Sequence, residues 1–94
     1  MEKSLRIIND YCIQNQINTD NPEDTGHTGL IGPEWSDLTT TLGDPEAKRT
    51  TINPNFAGLI AELLIQAGVK QGDTIAIGSS ASFPALLIAS LSAA

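Results

Sequence analysis

The stretch from Asn53 to Ala94, NPNFAGLIAELLIQAGVKQGDTIAIGSSASFPALLIASLSAA, limits the fold more than any other part of the chain. Phe56, Leu59, Ile60, Leu63, Leu64 and Ala67 recur at the i, i+3, i+4, i+7 spacing that lines one face of a helix, so that face must be covered. Asn53 as N-cap with Pro54 at the first helical position marks the start, and Gly68 marks the end as a C′ glycine. The spacing predicts a helix over 54–67. Lys70-Gln71-Gly72-Asp73 then reads as a tight turn into a short strand over 73–78, centred on Thr74 to Ile77. Gly78-Ser79-Ser80-Ala81-Ser82 leads from that strand into a second helix over 82–93. Helix, turn, strand, loop and helix make half of a doubly wound unit. The expected fold is therefore α/β, a partial Rossmann-like layered unit with a parallel or mixed sheet.

The last twelve residues, FPALLIASLSAA, are apolar or small all round and lack a polar face. A helix of that kind belongs inside something larger. Two expectations stand: the chain is a fragment of a larger domain, or the 83–94 helix is buried against a second copy in a homo-oligomer. A chain of 94 residues buries only about two-thirds of its unfolded surface, so its own core is thin.

Upstream, Leu5, Ile8 and Cys12, with Ile7 and Tyr11 beside them, predict an amphipathic helix over 4–15 capped by Ser4. The segment 18–28, NTDNPEDTGHT, is loop chemistry with turn signals at Asn21-Pro22 and Thr25-Gly26, and a mobile connection is expected there. Gly29 to Pro33 is a short apolar segment closed by a turn, and the run Thr39-Thr40-Thr41 predicts a strand over 37–42. Gly43-Asp44-Pro45 is a turn, and Glu46 to Arg49 forms one helical turn. The chain thus divides into an N-terminal helix in 1–17, a polar loop in 18–28 and an α/β region in 29–94.

A net charge of −6 argues against nucleic acid and anionic membranes as main partners, because both reward Lys/Arg clusters. Cys12 stands alone, so no internal disulfide forms, and no Cys/His spacing resembles a zinc site. The first thirty residues do not follow the pattern of a signal peptide, and no eighteen consecutive residues are apolar. The chain as given reads as soluble.

Three readings compete for Gly78–Ser82. In the first it is a nucleophile elbow, with Gly78-x-Ser80-x-Ser82 where hydrolases carry G-x-S-x-G and Ser80 as candidate nucleophile. Ser82 replaces the second glycine, and His27 is the only histidine for a triad. In the second it is a carboxylate or phosphate cradle, with Ser82 as N-cap, free N–H groups at the helix start, and hydroxyls from Ser79 and Ser80. In the third, Gly78 turns the chain, Ser82 caps a helix and the remaining serines fill space. Lys48 and Arg49, the only adjacent basic pair, with Thr40 nearby, are the charges to meet an anion, or else solvated residues paired with Asp44 and Glu46. His27, among Asp20, Glu23 and Asp24, has the composition of a metal site, although an exposed loop histidine beside acids is commonly just solvated. No metal ligand is assigned, and the cofactor is left open.

GLIGPEWSDLTTTLGDPEAKRTTINPNFAGLI and AGVKQGDTIAIGSSASFPAL resemble the poly-gamma-glutamate system protein family over Gly29 to Ala94. The resemblance is carried by Gly29-Leu30-Ile31-Gly32, Thr39-Thr40-Thr41-Leu42-Gly43, Ala47-Lys48-Arg49-Thr50, Asn53-Pro54-x-Phe56-Ala57, Gly72-Asp73 and Ser82-Phe83-Pro84-Ala85-Leu86. Ala81 stands where that family has glycine, which weakens any need for positive φ there. The resemblance implies a component of poly-gamma-glutamate biosynthesis or export at the cell envelope, working with the other proteins of that system. It also implies an N-terminal soluble portion of a longer, membrane-anchored protein. No catalytic residue comes with it. The alternative is a non-catalytic structural or interaction module of an envelope assembly. The run from Ala67 to Ile77 is also similar to the helix-turn-strand near the start of adenylate-forming enzymes, though their phosphate loop is lacking.

Overall fold

A computed structural model of the chain describes residues 1–17, 21–33, 35–37 and 39–94. Four helices follow one another: α1 Glu2–Gln14, α2 Pro45–Thr51, α3 Phe56–Gln66 and α4 Pro84–Ala93. Their ends explain themselves from the sequence. Asp44 caps α2 by accepting from the Glu46 N–H at 2.9 Å, Pro45 occupies the first turn, and Lys48 and Arg49 sit in the last turn, where the helix dipole favours cations. α3 stops in a Schellman motif. The Val69 N–H reaches the Leu64 carbonyl at 3.0 Å and the Gly68 N–H reaches Ile65 at 2.9 Å, with Gly68 at φ +89°. The expected C′ glycine is therefore present. α1 ends in the same pattern with a glutamine in the left-handed position: Gln16 has φ +56°, and Ile17 and Gln16 donate to Cys12 and Ile13.

Helix starts differ from expectation, that of α4 lying at Pro84 rather than at 82. α1 begins at Glu2 with Met1 as N-cap, so Ser4 lies inside the helix. α3 begins at Phe56, because Asn53 and Pro54 are spent in a turn: the Asn53 side chain accepts from the Asn55 N–H at 3.0 Å, and its carbonyl accepts from Phe56.

The α/β, Rossmann-like expectation is overturned. Among the described residues there is no strand, and the molecule is a small helical fold. In the 37–42 segment the chain turns instead. Ser36 and Thr39 close a turn through the Thr39 N–H to Ser36 carbonyl bond at 2.9 Å, and the Thr39 hydroxyl accepts from the Ser36 N–H at 3.0 Å. Threonine hydroxyls compete for backbone groups in this way, and here that local bond wins over β-propensity. Leu38 lies outside the described residues. The 73–78 segment has the residue types of a strand but, among the described residues, no neighbouring strand to pair with, and a ladder needs two. Ile75 turns inward while Thr74, Ala76 and Ile77 face solvent.

α3 packs chiefly on α4, and α2 makes a smaller contact with α4. The core is formed by Ile31, Ile52 and Ala85, with Met1 and Leu30 packed against it. Ala85 and Ala89, one turn apart on α4, are buried, and their small side chains let neighbouring backbone come close. On α1, Leu5 and Cys12 point inward, as their spacing predicts. α3 has no buried residue at all.

Candidate functional site

The polar loop expected to be mobile is tied together by two side chains. Asp24 is buried, and its carboxylate accepts three hydrogen bonds: from the Thr28 N–H at 3.1 Å, the Thr28 hydroxyl at 3.0 Å and the Gly29 N–H at 2.7 Å. The Thr28 hydroxyl in turn accepts from Leu30 N–H at 3.2 Å. Asn21 accepts from the Glu23 N–H at 3.0 Å and donates through Nδ2 to the Gly32 carbonyl, tying position 21 to position 32. His27 has φ +48°, and its N–H donates to the Asp24 carbonyl. His27 borders a groove of about 350 Å³ with Glu2, Leu5, Arg6 and Ile52. Among the described residues no three His, Cys, Asp or Glu side chains gather as a metal ion requires, and Asp20 lies outside them.

This ordered loop forms one wall of a cleft of about 360 Å³, and the start of α2 forms the other. Asn21, Glu23, Ile31, Gly32, Gly43 and Lys48 are among its lining residues. The Lys48 stem lies over Gly43, so closely that a Cβ added there would sit 2.9 Å from Lys48 Cε. Among the described residues Lys48 has no ion-pair partner. Arg49 does: its Nη1 lies 3.2 Å from Glu23 Oε2, an oxygen shielded from solvent that has this ionic contact but no well-aligned hydrogen bond. The expected pairing of the basic residues with Asp44 and Glu46 is replaced by a longer-range pair from α2 to the loop.

The glycine-serine loop lies on the surface, apart from the cleft. Gly78, Ser79, Ser80 and Ser82 are exposed, and neither they nor Thr40 line the cleft that holds Lys48. Ser79 donates its hydroxyl to the Ser80 carbonyl at 3.1 Å. The N-cap of α4 is Phe83 rather than Ser82, with no side-chain cap. Of the first N–H groups of α4, proline at 84 supplies none and Leu86 already donates to the Phe83 carbonyl at 3.1 Å.

The residues missed by sequence reasoning are Asn21 and Asp24, and their signal was partly visible. Asn21-Pro22-Glu23, Asp44-Pro45-Glu46 and Asn53-Pro54-Asn55 are three Asx-Pro-x strings. In each the Asx side chain accepts from the N–H two residues on, at 3.0, 2.9 and 3.0 Å. No helix among the described residues is long and apolar enough to cross a membrane. No family model, curated protein or solved structure matches this chain.

Proposed function

We propose that the chain is a non-catalytic interaction module serving poly-gamma-glutamate biosynthesis or export at the cell envelope, docking to a partner through α3 and α4. The polymer system enters through the likeness of Gly29–Ala94 to that protein family. The module reading is carried by one observation: α3, FAGLIAELLIQ, has no fully buried residue although most of its side chains are hydrocarbon; Phe56, Ile60 and Leu64 are half-buried, and Leu59, Leu63 and Ile65 are exposed. Leaving such a surface in water costs about 25 cal/mol for each Å² of apolar area that a partner would cover.

The test is complementation in a polymer-making host from which the gene has been deleted. Leu63→Glu with Leu91→Glu is expected to abolish polymer, and Ser80→Ala to leave its amount unchanged. If Ser80→Ala stops production while the leucine variant restores it, the chain is an enzyme and the module reading is wrong.

A second reading, a carboxylate held by Lys48, is favoured by the unpaired ammonium on the 360 Å³ cleft, a size at the small end of ordinary ligand sites. Calorimetric titration with glutamate oligomers separates it from the first. Heat that disappears in Lys48→Ala supports a ligand site, and no heat with the wild-type chain removes it.

A further inference from the structure

We infer that the occupant of the α3–α4 face is a second copy of this chain, related by a two-fold axis. The inference rests on the module reading and names its partner. The first argument is area. The chain exposes 6945 Å², whereas a folded monomer of its mass exposes about 5,200 Å². Its radius of gyration is 14.4 Å, against about 12 Å for a compact domain of this length. The surplus, about 1,700 Å², belongs to the chain as a whole, and the α3–α4 face shares it with other exposed hydrocarbon such as Ile13, Trp35 and Leu42; a standard interface draws ~800 Å² from each partner.

The second argument is charge. Across α3 and α4 the only charged residue is Glu62, and its carboxylate already accepts from Gln66 Nε2 at 3.0 Å. A partner with a charged footprint would lose the hydration of its charges here and find nothing to pair with. An uncharged patch is complementary to itself, and a two-fold interface sets the same patch on both sides. Elsewhere the −6 net charge works against a second copy. On α1, for example, the exposed Ile7, Tyr11 and Ile13 are interleaved with Glu2, Lys3, Arg6 and Asp10. Each helix of the pair presents two leucines one turn apart, Leu59 and Leu63 at 50% and 54% exposure on α3, Leu87 and Leu91 at 36% and 63% on α4. Such i, i+4 leucine pairs are the elements of a helix-to-helix seam.

Sedimentation velocity on the full chain at micromolar concentration tests this. The wild type is expected at twice the chain mass, Ile13→Glu on α1 also at twice, and Leu63→Glu with Leu91→Glu at the single mass with its helical circular dichroism kept. If the double glutamate variant unfolds, Leu63→Gln with Leu91→Gln takes its place with the same expectation. A wild type that runs as a monomer or as a broad distribution, or a dimer broken by Ile13→Glu and not by the leucine changes, overturns the inference. A monomer that binds an apolar dye, with binding lost in the leucine variant, overturns the second copy alone, because the face then awaits a different protein. A monomer without dye binding removes the module reading as well.

Discussion

Asp24 is buried in the described part of the loop and takes three hydrogen bonds there, and nothing in the string DNPED distinguishes it from Asp20 or Glu23. All are acids in loop composition. Which of them turns inward depends on where Thr28 and Gly29 return, four and five residues later, and that is a three-dimensional fact. Once inside, its oxygens face donors only: two from Thr28 and one from Gly29. Asp24→Asn keeps the shape but puts an amide NH₂ against one of these donors, and Asp24→Ala leaves all three unmet. A buried hydrogen-bonding group without its partner costs about 1–3 kcal/mol. Urea unfolding is therefore expected to show both variants destabilised by about 1–3 kcal/mol, alanine at least as much as asparagine. A midpoint within error of wild type for both would mean that the loop stands without its carboxylate. Lys48 was legible as a charge seeking an anion, but its cleft was not, because Asn21 and Gly32 come to it from 27 and 16 residues away in sequence.

Helix ends are where the sequence spoke most plainly. Gly68 ends its helix as its chemistry requires, Asp44-Pro45, read as a turn, turns out to cap α2, and Asn53-Pro54 marks a start that a turn displaces by two residues. Strands were misread for a physical reason. Helical hydrogen bonds close within four residues and so can be inferred locally, whereas a strand is defined by a distant partner, which Thr74–Ile77 lacks. The two Schellman ends give a paired prediction. Gly68 at φ +89° has open space around a would-be Cβ, so Gly68→Ala meets backbone strain alone, about 1 kcal/mol of destabilisation. Gln16 holds the equivalent place in α1 at φ +56°, so Gln16→Gly relieves that strain and is expected to stabilise by about 0.5–1 kcal/mol. Opposite signs in thermal unfolding support the shared geometry. The same sign for both would refute it.

At the scale of the molecule, the periodic face of α3 told that something must cover it but not what, since periodicity specifies a buried side and leaves its neighbour open. Only part of the cover comes from α4, and the internal core is limited to a few side chains around Ile31, Ile52 and Ala85. A fold with so little of its own interior draws stability from whatever completes it. If that is a second copy, mass action makes the thermal midpoint rise with protein concentration, because the folded dimer is favoured over two unfolded chains as concentration increases. Trp35, the single tryptophan, is 64% exposed and lies on neither α3 nor α4. Its emission is therefore expected to remain that of a water-exposed indole throughout a dilution series that dissociates the dimer. The midpoint should rise with concentration in the wild type and lose this dependence in Leu63→Glu with Leu91→Glu. A tryptophan spectrum that shifts on dilution would move the contact to the segment around residue 35, and a midpoint indifferent to concentration would leave each chain to stand on its own thin core.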